Sequence, residues 1–292
     1  MFEKFKANIV FHQLMKRPDI MKAYKMVGPE DSWFDTISTV HRSLAEIQQL
    51  PREIWHINSH DGLRMEGVFY PGTCNKTMIW IHGYTSHAER ESAFPGLFYH
   101  SLGYNVLIPY LRAHGSSQGK YISFGALERL DMLRWIEKVN ERMPEGKIVI
   151  HGLSMGGGIA LDMATMDLPN VKGMVIDAPS YSIEGFFRGV AEHICKRNPD
   201  KAFAQFCCRF RKEFDADPRD FNRLENIKNG KYSLLLSAGS MEQQDEILLK
   251  LKENNPNAST ILILPGCNHG NGMYKQTELY QSTINAFLEE LM

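Results

Sequence analysis

Hydrophobic positions change their period near Pro51. Before it, Phe2, Phe5, Ile9 and Val10 recur at helical spacing, as do Ile37, Val40, Leu44 and Ile47. The spacing predicts two or three helices over residues 1–50, an N-terminal helical extension with a break near Val27-Gly28-Pro29. Beyond Pro51, Ile54–Asn58 and Arg64–Tyr70 read as strands joined by the turn signal His60-Asp61-Gly62. Six short apolar runs follow: Thr77–Ile81, Asn105–Ile108, Ile148–Ile150, Val171–Ile176, Tyr232–Ser237 and Thr260–Leu264. Continuous runs of this length suit parallel strands covered on both faces. Helical patterns fill the gaps, for example Ala126–Val139, Met155–Met166, Glu246–Glu253 and Gln276–Leu291. Strand–helix alternation implies βαβ units and a mostly parallel sheet, hence an α/β domain over residues 51–292.

One connection is longer than the others. Residues 178–230 separate two strands and hold three predicted helices, around 183–195, 200–213 and 219–227. Open α/β sheets bind ligands at the carboxyl ends of their strands, so this insertion is expected to form a small helical cap there.

Composition narrows the function classes. A formal net charge of −1 gives no general electrostatic pull towards nucleic acid or acidic membranes. The basic cluster Arg209, Arg211 and Lys212 lies beside Glu213 and Asp215 and reads as a solvated helix face. The five cysteines are scattered and form no CxxC pair, which excludes a disulfide framework and leaves no zinc signature. The N-terminal stretch is interrupted by charge, and no segment approaches the length of a membrane span. The expectation is a cytoplasmic protein without stable membrane insertion, of unspecified oligomeric state.

The strongest chemical signal is Ile148-Val149-Ile150-His151-Gly152-Leu153-Ser154-Met155-Gly156-Gly157-Gly158. It places G-x-S-x-G between a strand and a helix. A serine on such a sharp turn projects its Oγ into a site, and the flanking positions must be small. A serine needs a base. His269 follows the last apolar strand, where a loop can reach across to Ser154. The acid belongs just beyond Tyr232–Ser237. Glu242, three residues after Gly239, is the first choice and Asp245 the second; the chain order is then Ser, acid, His. Two N–H donors must hold the developing oxyanion: the backbone of Met155, and Tyr84 in the turn His82-Gly83-Tyr84-Thr85-Ser86.

From about Ile54 to the C-terminus the chain resembles the α/β-hydrolase superfamily. The resemblance rests on His82-Gly83, Arg112-Ala113-His114-Gly115-Ser116-Ser117, Gly152–Gly158, Gly239 and Asn268-His269-Gly270. It is nearest to bacterial serine-aminopeptidase-like or lysophospholipase-like hydrolases, which Gly125–Asp131 and Trp135 also fit. The resemblance implies a sheet of about eight strands, no cofactor, and mostly ester or amide substrates. The chain departs from the pattern in having Glu242 where many relatives have Asp, no Val-Pro after it, and Tyr110 where Asp often stands.

These residues point to a serine hydrolase that cleaves small-molecule carboxylic esters through an acyl-enzyme on Ser154. Tyr84, Tyr181, Phe186, Phe187 and Phe203 are candidates for an apolar substrate site. The alternative is amide or short-peptide hydrolysis, for which Glu184 or Glu192 would anchor a substrate amine. A third reading is a non-catalytic binding protein that retains the fold.

Overall fold

The computed structural model of the protein describes residues 2–19 and 31–292. The break predicted at Val27-Gly28-Pro29 lies outside the described residues. All eight predicted strands form: β1 (Glu53–Asn58), β2 (Arg64–Tyr70), β3 (Lys76–Ile81), β4 (Asn105–Pro109), β5 (Lys147–Leu153), β6 (Val171–Asp177), β7 (Ser233–Gly239) and β8 (Ser259–Leu264). They make one sheet in the order β1-β2-β4-β3-β5-β6-β7-β8. β2 runs antiparallel to β1 and β4, and the remaining neighbours are parallel.

Eleven α-helical segments accompany the sheet among the described residues: α1 (Phe2–Met15), α2 (Ile37–Ile47), α3 (Ala88–Ser101), α4 (Glu128–Arg142), α5 (Met155–Met163), α6 (Ile183–Ile194), α7 (Pro199–Phe214), α8 (Arg223–Asn226), α9 (Asp245–Asn254), α10 (Gly272–Lys275) and α11 (Thr277–Leu291). Local chemistry sets several starts. Ser182 caps α6 by accepting from Gly185 N–H at 3.0 Å, and Asn198 caps α7 from Lys201 N–H at 3.2 Å with Pro199 in the first turn. The last helical pattern, Gln276–Leu291, forms as α11, with the short helix α10 added before it, and the stretch predicted at 219–227 folds as α8 flanked by two 3₁₀ turns.

Successive strand residues face opposite sides of the sheet, and the core divides accordingly. Ile79, Ile150, Ile176 and Leu236 join α1, α4, α5, α6 and α7 on one face. Met78, Trp80, Val149 and Leu235 join α2, α3 and α11 on the other. Residues 1–50 are therefore split: α1 packs beside α7 on one face, α2 beside α3 on the opposite one. Within 178–230, Phe187 is fully buried against Phe11, Phe206 and Phe210, at ring-centroid distances of 6.1, 5.5 and 5.7 Å. Arg223 anchors the same segment. Its guanidinium is buried against Asp162 at 2.7 Å and donates to the carbonyls of Phe124 and Ser180 at 2.7 and 2.8 Å. Among the described residues no helix is long and apolar enough to cross a membrane.

Candidate active site

β5 continues to Leu153, and the chain then turns sharply into α5. Ser154 sits at the turn with φ 58° and ψ −115°, an unfavourable conformation for a residue with a side chain. Its neighbours fix it there. Ser154 N–H donates to Asp177 C=O at 2.9 Å, and Ser154 C=O accepts from the N–H groups of Gly158 and Ser180, both at 3.0 Å. The flanking glycines are obligatory for a steric reason. A Cβ on Gly152 would meet Gly156 C=O at 2.3 Å, and one on Gly156 would meet Ile81 C=O at 1.9 Å.

Three side chains from three loops meet at this turn. His269 Nε2 lies 2.9 Å from Ser154 Oγ, and His269 Nδ1 lies 2.6 Å from Glu242 Oε2. The tautomer consistent with both contacts has Nδ1–H donating to the carboxylate and Nε2 accepting from the hydroxyl. The bond to Glu242 raises the His269 pKa above its ordinary 6.5. Glu242 is itself held, with Oε1 accepting from Gly239 N–H at 2.8 Å and Oε2 from the Gln244 amide at 3.3 Å. The extra methylene of glutamate is accommodated by a 3₁₀ turn over Ser240–Glu242, followed by Gln243 in the left-handed region at φ 56°. This loop is tied to the one carrying His269: Met241 N–H donates to Cys267 C=O, and Gly266 N–H to Ser240 Oγ. Asp245 is exposed at the first position of α9 and does not join this chain of contacts.

Met155 is the first residue of α5, where a helix leaves its N–H groups without internal partners. Tyr84 lies across the cleft, after Gly83; a Cβ on Gly83 would stand 3.5 Å from Ser154 Cβ. The Tyr84 phenol points away and donates to Leu14 C=O of α1 at 2.6 Å.

Ser154 and His269 open into a cleft of about 290 Å³. Trp33, Val40, Tyr84, Arg90, Glu91, Leu153 and Tyr274 are among its walls. None of the described lining residues comes from 178–230. Tyr181 is exposed, Phe187 and Phe203 are buried in the core, and Phe186 lines a separate apolar groove with Val10 and Leu14. Glu184 pairs with Arg188 at 2.8 Å, and Glu192 is exposed; neither reaches the cleft.

Several groups around the site were invisible as such in the sequence. Glu91 accepts from Gly83 N–H at 2.9 Å and from the Trp80 indole N–H at 3.0 Å, and burial pushes its carboxyl up to about 7. In the sequence it looks like an acidic residue complementing a helix N-terminus. Beneath Ser154, the Asp177 carboxylate is fully enclosed and accepts from Ser237 Oγ–H and Tyr280 O–H, both at 2.9 Å; burial raises it to about 6. Tyr110 donates to Glu89 at 2.8 Å, as does Tyr70, so a buried carboxylate on α3 explains the tyrosine at this position. His60, Asp61 and Asp131 bring potential metal ligands together. Arg112 already pairs with both carboxylates, at 3.0 and 2.7 Å, which makes this an ion-pair cluster.

The sequence model of the family described as serine aminopeptidase, S33, matches residues 72–230, more than half of the chain. The chain belongs to this family. Its fold is that of the α/β hydrolases, and the family is one of hydrolases. A solved esterase from Pyrococcus furiosus is 25% identical with a TM-score of 0.66, covering 85% of this chain and 94% of its own. The Bacillus subtilis protein YqkD is 26% identical over 258 residues, covering 86% of this chain and 84% of its own length. The multifunctional-autoprocessing repeats-in-toxin protein of Vibrio cholerae is 30% identical over an alignment of 135 positions that covers 41% of this chain. The match spans only 3% of that toxin's length.

Proposed function

We propose that the protein hydrolyses carboxylic esters through an acyl-enzyme on Ser154. The observation that carries this reading is the unbroken contact chain Glu242–His269–Ser154, at 2.6 and 2.9 Å, opening on a cleft. His269 Nε2 takes the proton as Ser154 Oγ attacks the acyl carbon. Glu242 holds the tautomer and stabilises the imidazolium. The N–H groups of Met155 and Tyr84 receive the oxyanion. The imidazolium then protonates the leaving alcohol. A water, deprotonated by the same nitrogen, attacks the acyl-enzyme and releases the acid.

Ester hydrolysis is favoured over aminopeptidase activity by the cleft's charges. An aminopeptidase needs a carboxylate to hold the substrate ammonium. Glu91 is the carboxylate among the described lining residues, and its oxygens are engaged by Gly83 and Trp80. The esterase name of the Pyrococcus relative supports the same choice.

A matched panel of p-nitrophenyl esters and aminoacyl p-nitroanilides tests it. Esters should be cleaved and the nitroanilides left nearly untouched. Ser154→Ala should lose at least about 10⁴-fold in kcat, and labelling by a fluorophosphonate should disappear with it. Preferential cleavage of the nitroanilides would overturn the ester assignment, and retained activity in Ser154→Ala would overturn the nucleophile.

A further inference from the structure

Gly83 is the hinge of the turn that presents Tyr84, and the peptide planes on both its sides are pinned. On one side, Gly83 C=O accepts from His82 Nδ1–H at 2.8 Å and from Ser86 N–H at 3.4 Å. A trans peptide sets the following N–H opposite its carbonyl, so these two bonds turn Tyr84 N–H away from His82 and Ser86. On the other side, Gly83 N–H is received by Glu91, with Oε1 at 2.9 Å and Oε2 at 3.2 Å. Glu91 Oε1 also accepts the Trp80 indole N–H at 3.0 Å, which anchors the carboxylate to the end of β3. Glycine has the widest backbone freedom of any residue, so an unpinned hinge here would let Tyr84 N–H wander. Oxyanion stabilisation is effective only when its donors are fixed before the charge develops.

We propose that Glu91 is a positioning residue: by accepting Gly83 N–H it fixes the 82–83 peptide plane and so aims Tyr84 N–H at the substrate oxygen on Ser154. The proposal rests on the serine-hydrolase reading given above. It is a claim about the position of an acceptor and not about charge. Glutamine at this position keeps an oxygen acceptor at the same reach. Aspartate keeps the charge but withdraws the acceptor by one methylene.

The experiment compares Glu91→Gln and Glu91→Asp in the full chain. Ester turnover is normalised to the serine titrated by a fluorophosphonate, so that misfolded protein is not counted. An alkyl boronic acid, which forms a tetrahedral adduct on the serine, is the second probe. Losing one oxyanion donor typically costs roughly 10²–10³-fold. On that scale Glu91→Asp should lose about 10²-fold in kcat with KM little changed, and Glu91→Gln no more than about tenfold. Boronate affinity should weaken in Glu91→Asp by a factor similar to kcat. A loss in Glu91→Asp no greater than in Glu91→Gln would overturn the proposal, because charge and not acceptor position would then matter. So would failure of either variant to fold and label, which would assign the carboxylate to stability alone. Ser154→Ala assayed in parallel separates the two readings: if it retains activity, the serine-hydrolase reading has failed instead.

Discussion

Two helical additions flank the same sheet, and only one of them reaches the cleft. In the N-terminal addition, Trp33 and Val40 line it. Trp33 lies edge-on to Tyr274 at 5.7 Å, and Ser32 C=O accepts from the Asn271 side chain, two residues beyond His269, at 3.0 Å. The segment 178–230 is strongly amphipathic in α6 and α7, as α2 is in the N-terminal addition. It buries its apolar face in an aromatic cluster around Phe187 and contributes none of the described lining residues. An apolar stripe therefore reports that a helix face is covered, and not what covers it. Position in the chain is no better a guide, since 178–230 leaves the carboxyl edge of the sheet and still packs to one side.

If neither addition supplies chemistry, the largest loss must come from the loops after β7 and β8. Glu242→Gln presents an amide to His269 Nδ1 and favours the wrong tautomer, so kcat should fall by about 10⁴-fold with little change in KM. Asp245→Asn should cost only about 0.3–1 kcal/mol of helix stability, as expected for a charge at a helix N-terminus. Steady-state kinetics on one ester settles this, and a reversed order would make Asp245 the acid. Within the additions, Phe187→Ala should lower stability by about 3–5 kcal/mol, the usual cost of emptying a fully buried aromatic site. The readout is the urea midpoint. The preference of the folded enzyme among esters should stay as it was; a changed preference would bring 178–230 into the cleft and break the comparison.

The sheet and the meeting of Ser154, His269 and Glu242 were legible in the sequence for different reasons. Strands buried on both faces leave continuous apolar runs, and all eight fall within a few residues of their predicted ends. The elbow is legible because Gly152 and Gly156 are dictated by backbone contacts under 2.5 Å. His269 and Glu242 follow from chain order. α3 leaves no helical signal in the sequence, because Pro95 lies inside it and its apolar residues do not keep to one face. Glu91 was hidden because its acceptor role depends on Gly83, eight residues earlier and across a turn. Trp33 stands in a turn before a 3₁₀ segment, where periodicity carries no signal.

Trp33 is where the comparison can be sharpened on the N-terminal side. Its ring forms part of the wall beside Gly270 and Tyr274. Trp33→Ala enlarges the cleft without touching the contact chain. The ratio of kcat/KM for bulky against short acyl esters should rise by about tenfold, the order expected when a pocket gains or loses a few carbon atoms. Stability should fall less than in Phe187→Ala, since Trp33 is only partly buried. An unchanged ratio would move the N-terminal addition to the bystander side of the comparison.

The smallest expected effect is a displacement of the acid limb of kcat/KM against pH. On the proposed mechanism His269 must be neutral to accept the serine proton, so activity should be lost as pH falls through its pKa. Glu242 raises that pKa, which puts the limb above 6.5 in the native enzyme. Removing the carboxylate in Glu242→Gln should move the limb to lower pH while kcat itself falls. Burial acts on His269 in the opposite direction, lowering its pKa. Trp33→Ala, which opens the wall beside Gly270, should therefore move the limb slightly upward, and Phe187→Ala should leave it in place. Glu91 is a second group in the same window, because burial brings its carboxyl to about 7. Glu91→Gln separates the two: a limb that survives in Glu91→Gln and shifts in Glu242→Gln belongs to His269. A limb that vanishes in Glu91→Gln instead would belong to the carboxylate behind the oxyanion turn, and the N-terminal wall would then influence catalysis through that group.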